Sequence, residues 1–258
     1  MCHQDASPLV NSRDLFDTKP KIVTHCVQLV ESLFQGLPFD TIVDPSAGAG
    51  AFSNRMGGCV AIDIEPRAAG IIKQDFLQWK PAVKLGRCLV IGNPPFGRNA
   101  NLAVKFFNHA AQFSDVIAFI VPRTFRKISL QVRLSNSFHL ILDRDIAPNA
   151  FEHNGKTRSV PCAMQIWERR SCVRSKPKIR RSHPDFIFSD RTMADVAIQR
   201  VGANAGRLKL PSEAGSSQSH YFLKSVDIDF REMYEILQAI DFDLVRHETA
   251  GNPSISKA

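Results

Sequence analysis

Short apolar runs that each stop at a polar residue or a proline alternate, through the first 170 residues, with stretches whose apolar positions recur at helical spacing. That alternation restricts the fold strongly, because parallel strands are joined only through a crossover, and the usual crossover is a helix. Ile22, Val23, Cys26, Val27, Leu29, Val30, Leu33 and Phe34 predict an opening helix over 21–34, after a Pro20 suited to a first helical turn. Thr41-Ile42-Val43 reads as a buried strand broken by Asp44-Pro45 and small residues through Gly50, with a helix expected next. Cys59 to Ile62 reads as a strand ending in Asp63, a third strand closes at Asp75-Phe76, and Arg87 to Gly92 ends in Asn93-Pro94-Pro95-Phe96. An amphipathic helix over Asn101–Phe113 and a continuous apolar strand from Val116 to Val121 follow, the latter stopped by Pro122. Leu130 to Phe138 predicts a helix, His139 to Leu142 a strand and Ala163 to Trp167 a last strand, with a polar loop from Asn149 to Pro161 before it. The class expected is α/β: a parallel sheet with helices on both faces and its site at the carboxyl edge.

A chain of 258 residues allows one main domain and a small appendage. We place the domain at 1–170, a basic linker at 171–183 and a small C-terminal region, of weaker periodicity, at 184–258. No apolar run approaches the roughly 20 residues of a membrane helix, and Met1-Cys2-His3-Gln4-Asp5 lacks a secretory pattern, so a cytoplasmic location is expected. The six cysteines are scattered without a paired spacing, which predicts reduced thiols and no metal site. A net charge of +8 favours a polyanionic partner, nucleic acid first. Much of the excess lies in Arg169, Arg170, Arg174, Lys176, Lys178, Arg180 and Arg181, which serve equally well as a solvated linker.

The turn Asp44-Pro45-Ser46-Ala47-Gly48-Ala49-Gly50 has the composition of a nucleotide-type cofactor loop, its glycines permitting close approach to the backbone. Asp63 follows Asp44 by nineteen positions, close to the roughly 20-residue spacing at which a carboxylate meets a ribose hydroxyl in dinucleotide folds. Asp75-Phe76 offers a carboxylate and a ring to an adenine, or a plain turn Asp.

Taken together, Asp-Pro-x-x-Gly-x-Gly at 44–50, Ile-Asp at 62–63, Asp-Phe at 75–76 and Asn-Pro-Pro-Phe-Gly at 93–97 resemble the class I S-adenosylmethionine-dependent methyltransferases of the Asn-Pro-Pro-Phe/Tyr amino-methylating group. The resemblance implies a Rossmann-like, seven-stranded, mostly parallel sheet, S-adenosylmethionine as cofactor, and methylation of N6 of adenine in DNA. It places Asp44, Gly48 and Gly50 around the methionine part of the cofactor, Asp63 at its ribose and Asp75 with Phe76 at its adenine. Pro45, Phe52, Ile64 and Asn93 join them on the cofactor side. Thr18-Lys19-Pro20 resembles the family's Thr-Pro segment before the first helix, from which the inserted Lys19 departs, and so adds Thr18 and Pro20 to the cofactor set.

The catalytic group is Asn93, Pro94, Pro95 and Phe96. An exocyclic amino nitrogen is a poor nucleophile, its lone pair delocalised into the ring. The Asn93 side-chain carbonyl and the Pro94 backbone carbonyl can accept its two hydrogens and localise that pair, with the prolines holding the acceptors rigid. Phe96 would stack on the base, flipped out if it comes from duplex, and the displacement needs no metal. Arg123, Arg126 and Lys127, after the Val116–Val121 strand, would meet phosphates or begin a solvated helix. His153, Asn154, Lys156 and Arg158 belong to a loop that in this family often shapes the substrate pocket, and that reads equally well as a mobile surface loop. Ile198–Gly206 and Gly251–Lys257 resemble segments of target-recognition domains in restriction-modification specificity proteins, which would turn Arg200 and Lys257 toward DNA, or they are structural turns. DNA is thus favoured over RNA, and a homodimer or a restriction-modification partner is left open. The alternatives are an RNA adenine methyltransferase, a glutamine-directed protein methyltransferase and a catalytically silent nucleic-acid-binding subunit.

Overall fold

The computed structural model describes residues 17–153, 155–180, 182–249 and 251–257; Met1 to Asp5, Asn154 and Arg181 fall outside the described residues. The chain divides into two units, one running to Phe125 and from Leu130 to Lys176, the other made of Arg126–Ser129 and the chain from Pro177 onward.

In chain order the first unit holds β1 (Asp17–Thr18), α1 (Pro20–Leu33), β2 (Thr41–Asp44), β3 (Val60–Asp63), β4 (Ile72–Lys73), β5 (Cys88–Gly92), α2 (Asn101–Ala110) and β6 (Val116–Pro122). It continues through α3 (Ile128–Gln131, shared with the second unit), β7 (Phe138–Asp145), β8 (Phe151–His153), β9 (Lys156–Arg158) and β10 (Cys162–Arg169). Seven strands form one sheet in the order β4-β3-β2-β5-β6-β10-β7. Neighbours from β4 to β6 run parallel, and β10 runs antiparallel to both β6 and β7. This is the Rossmann-like, mostly parallel sheet expected.

The chain builds outward from β2 through β3 to β4, then returns to the other side of β2 for β5 and β6. The order therefore reverses between β2 and β5, where open α/β sheets form a crevice at their carboxyl ends. Both faces are covered. Leu89, Ile91, Ala118 and Ile120 pack with Val23, Val27 and Val30 of α1, whereas Val90, Ile117 and Phe119 pack with Val104, Phe106 and Phe107 of α2. Successive strand residues point to opposite faces, so two covered faces require the continuous apolar runs read in the sequence.

Three local expectations differ from the structure. No helix follows Gly50: residues 51–58 form turns with two isolated helical hydrogen bonds, Asn54 N–H to the Gly50 carbonyl at 2.9 Å and Met56 N–H to the Phe52 carbonyl at 3.1 Å, ended by Gly57 and the left-handed Gly58 (φ 71°). The helix expected over Leu130–Phe138 is confined to α3, because Phe138 is a buried first residue of β7. The polar loop 149–161 contains the hairpin β8–β9, whose β8 pairs antiparallel with β1.

The second unit contains β11 (Phe186–Phe188), β12 (Val196–Gln199), β13 (Leu208–Lys209), β14 (His220–Ser225), α4 (Phe230–Ala239) and α5 (Asp243–Arg246). Its four strands make an antiparallel sheet ordered β11-β14-β12-β13, and Met233 and Leu237 of α4 pack on Val196, Ile198 and Leu223. Among the described residues no helix is long and apolar enough to cross a membrane.

Candidate functional site

Because β3, β2 and β5 are adjacent and parallel, their carboxyl ends set Asp63, Asp44 and Asn93 side by side. Asp44 is 1% exposed; its Oδ1 accepts the Ser46 N–H at 3.3 Å and its Oδ2 has no hydrogen-bond partner. Burial pushes its carboxyl up to about 7, with the Asp63 charge adding to the rise and the backbone amides of Ser46 and Ser53 opposing it. The chain meets this carboxylate closely at Gly92, where a Cβ would stand 2.8 Å from Asp44 Oδ1, so the residue before Asn93 has room for hydrogen alone.

The Gly-rich turn is braced by Asp63. Its Oδ2 accepts the Gly48 N–H at 2.7 Å and its Oδ1 the Glu65 N–H at 2.8 Å, which leaves a carboxylate with further acceptor sites at the end of β3. Gly48 adopts φ 54° and Gly50 φ 84°, conformations that only glycine takes without strain. Ile64, 42% exposed, presents an apolar surface beside Asp63.

Asn93 is fixed from two sides: Ser46 Oγ donates to its backbone carbonyl at 3.0 Å, and its own Nδ2 donates to Thr18 Oγ1 at 3.2 Å. Thr18 is buried and held in β1 by pairing with Phe151 of β8, while Pro20 opens α1 directly behind it. Lys19, the inserted residue, donates its backbone N–H to Ala150 and its ammonium to Thr157 Oγ1 at 2.9 Å, so it ties the segment to the hairpin. Phe96 is half-buried against both cores, and its carbonyl accepts the N–H groups of Leu102 and Ala103. After it come Gly97, Asn99 and Ala100 with φ of 66°, 53° and 57°, a strained corner that aims α2 back across the sheet.

Other expected site residues stand differently. Asp75 lies beyond the end of β4 and caps a turn, accepting the Leu77 N–H at 2.9 Å, the plain turn role weighed above. Phe76 is 2% exposed and packs edge-on to His109 and Phe113, and Phe52 is 3% exposed; each ring belongs to a hydrophobic core cluster. Arg123 is paired with Asp145 at 2.8 Å, which offsets its charge. Lys156 is exposed on β9, and Arg126 is half-buried in the stretch that groups with the second unit. Within that unit Arg200 lies over the Tyr221 ring (5.0 Å to its centroid), and Lys257 lies over Phe188 (3.9 Å) and Tyr221 (5.6 Å). Two cavities of the second unit, about 270 and 320 Å³, lie beside Leu237 and Phe242; Arg207 and Gln238 contribute to the first, and the second is mostly apolar. Sequence reasoning missed Ser46 as a support of Asn93, and it missed the bidentate pair of Arg67 with Asp17 that stands over Gly48. Neither carries a spacing signal, since both partnerships span about 50 residues of chain.

No protein-family model matches the chain, and no curated protein matches it. Solved structures do. A candidate RNA methyltransferase from Pyrococcus horikoshii is 20% identical, with 63% of this chain and 90% of that one covered and a TM-score of 0.45. The 23S rRNA methyltransferase ErmE is 13% identical over 63% and 72% of the two chains, with a TM-score of 0.43. A magnesium protoporphyrin IX methyltransferase from Synechocystis, solved with S-adenosylmethionine bound, is 12% identical over 57% and 78%, with a TM-score of 0.39. Likeness at these identities concerns the fold alone.

Proposed function

We propose that this chain is an S-adenosylmethionine-dependent methyltransferase acting on the N6 amino group of adenine in nucleic acid, with DNA as the polymer. The observation that carries this reading is the placement of Asp63, Asp44 and Asn93 on three adjacent carboxyl ends, with the Asn93 amide held by Thr18. The residues fit the cofactor: Asp44 Oδ2 is a buried acceptor without a partner, and left-handed Gly48 leaves backbone uncovered beside Asp63. Asp63 would hold the ribose, Ile64 would flank the adenine, and Asp44 with the Gly-rich turn would face the methionine end. The bound cofactor supplies an electrophilic methyl group carried on a sulfonium.

The chain's own part is to prepare the nucleophile. With one Nδ2 hydrogen donated to Thr18, the Asn93 amide plane is held so that its carbonyl oxygen would accept from a substrate amine, and Pro94 adds a backbone carbonyl on a rigid segment. Two acceptors on the two N–H groups draw the lone pair out of the ring and stabilise the positive charge that develops on nitrogen until a proton leaves to water. Phe96 would offer its ring for stacking on the base, and the net charge of +8 favours a polyanion.

Transfer of label from methyl-labelled cofactor to DNA, RNA and protein, followed by mass spectrometry of nucleosides, tests the reading. N6-methyladenine in DNA is the expected product; label in RNA would change the polymer, and label in protein alone would overturn the adenine assignment. Asn93→Ala should abolish transfer while retaining cofactor binding; unchanged turnover would sink the mechanism.

A further inference from the structure

The proposed chemistry leaves one ion pair at the sheet edge without a role. Arg67 Nη1 donates to Asp17 Oδ2 at 2.7 Å and Nη2 to Asp17 Oδ1 at 2.5 Å, a fork-to-fork contact between the loop after β3 and the start of β1. Both side chains are open to solvent, at 46% and 42% of their surface. An exposed pair contributes about 0–1 kcal/mol and costs the rotamer freedom of a long side chain, so stability is a poor reason for holding one across the loop.

Its position is more telling. The Arg67 backbone N–H donates to the Gly48 carbonyl at 2.9 Å, tethering the residue to the Gly-rich turn, and Nη2 stands 2.8 Å from where a Gly48 Cβ would be. Asp63, whose Oδ2 holds the Gly48 N–H, adds its charge to the field at the guanidinium. A planar donor fork therefore lies on the uncovered face of the turn, and what it grips there is a carboxylate.

We infer that Arg67 is the receptor for the α-carboxylate of the cofactor's amino-acid end, and that Asp17 stands in that place until the ligand displaces it. The inference rests on the cofactor reading above. Exchange of one carboxylate for another on the same guanidinium buries no unpaired charge, and Asp17, at the solvent-exposed start of β1, is hydrated when released. A nucleoside without an amino-acid end has no use for this contact, which makes the two halves of the cofactor separable.

Isothermal titration of the full chain with S-adenosylmethionine and with 5′-methylthioadenosine, which lacks the amino-acid end, tests this in wild type, Arg67→Met and Asp17→Asn. Arg67→Met should weaken S-adenosylmethionine by about tenfold or more, the scale of a lost charged hydrogen bond, and leave methylthioadenosine unchanged, which also reports a folded site. Asp17→Asn, which removes the competitor, should leave S-adenosylmethionine binding as tight as wild type or tighter. Equal weakening of both ligands by Arg67→Met, no weakening of either, or weakening by Asp17→Asn would overturn the inference while the cofactor reading stands. Wild type that binds neither ligand would remove the cofactor reading, and the inference with it.

Discussion

Asp44 is buried, and its second oxygen has no partner, so its ionised form is held at a cost. A carboxyl at about 7 in the fold and 3.8 unfolded binds more proton in the native state between those values. Its contribution to stability is therefore complete below pH 3.8 and lost as pH rises through 7. Asp44→Asn should raise stability above pH 7 and flatten that dependence, by up to about 4 kcal/mol from a three-unit difference; urea melts from pH 5 to 8 measure it, and an unaltered slope would count against the burial argument. Thr18 bears on turnover instead. Thr18→Val removes the acceptor of Asn93 Nδ2, so turnover should drop about tenfold, by more than cofactor affinity does, and Thr18→Ser should recover it.

At the scale of elements, α4 begins at Asp229, whose carboxylate accepts the Arg231 N–H at 2.8 Å. Asp229→Ala should cost about 1 kcal/mol in the denaturant transition reported by the Tyr221 and Tyr234 environment. The weaker periodicity of the C-terminal region hid this cap, whereas β2, β5, β6 and α2 were legible, because burial on two faces or one stripe forces a pattern into consecutive residues. The hairpin β8–β9 left no such pattern: apart from the buried Phe151 its residues are polar, and β8 pairs with Asp17–Thr18 about 130 positions earlier. The same limit separates the site residues. Asp44, Asp63 and Asn93 end strands and could be read from where the apolar runs stop. Phe52 and Phe76 follow turns and look equally suited to a ligand or a core; only the packing around them decides for the core.

For the whole molecule, the excess of positive charge is not one surface. In the basic run, Arg169 donates to the carbonyls of Ser114 and Ala111 and covers the Phe138 ring, while Arg174 donates to those of Phe138 and Gln131 and lies over Trp167. These two close the outer end of the sheet. Among the described residues of the run, Lys176, Lys178 and Arg180 are exposed without such a duty, and Arg170 is exposed beside Glu168, so contact with a polyanion is open to these. Each phosphate contact steepens the dependence of log affinity on log salt by about 0.9 for duplex DNA. The triple change of Lys176, Lys178 and Arg180 to Ala should therefore flatten that slope by up to about 3, with no loss of stability, in fluorescence anisotropy titrations at several salt concentrations. Arg174→Ala should do the reverse, lowering stability while the slope holds, because its guanidinium is spent on backbone carbonyls and an indole face. If the triple variant kept the wild-type slope, the charge of these three residues would serve the linker's solvation, and the polyanion would have to be met by other residues of the chain.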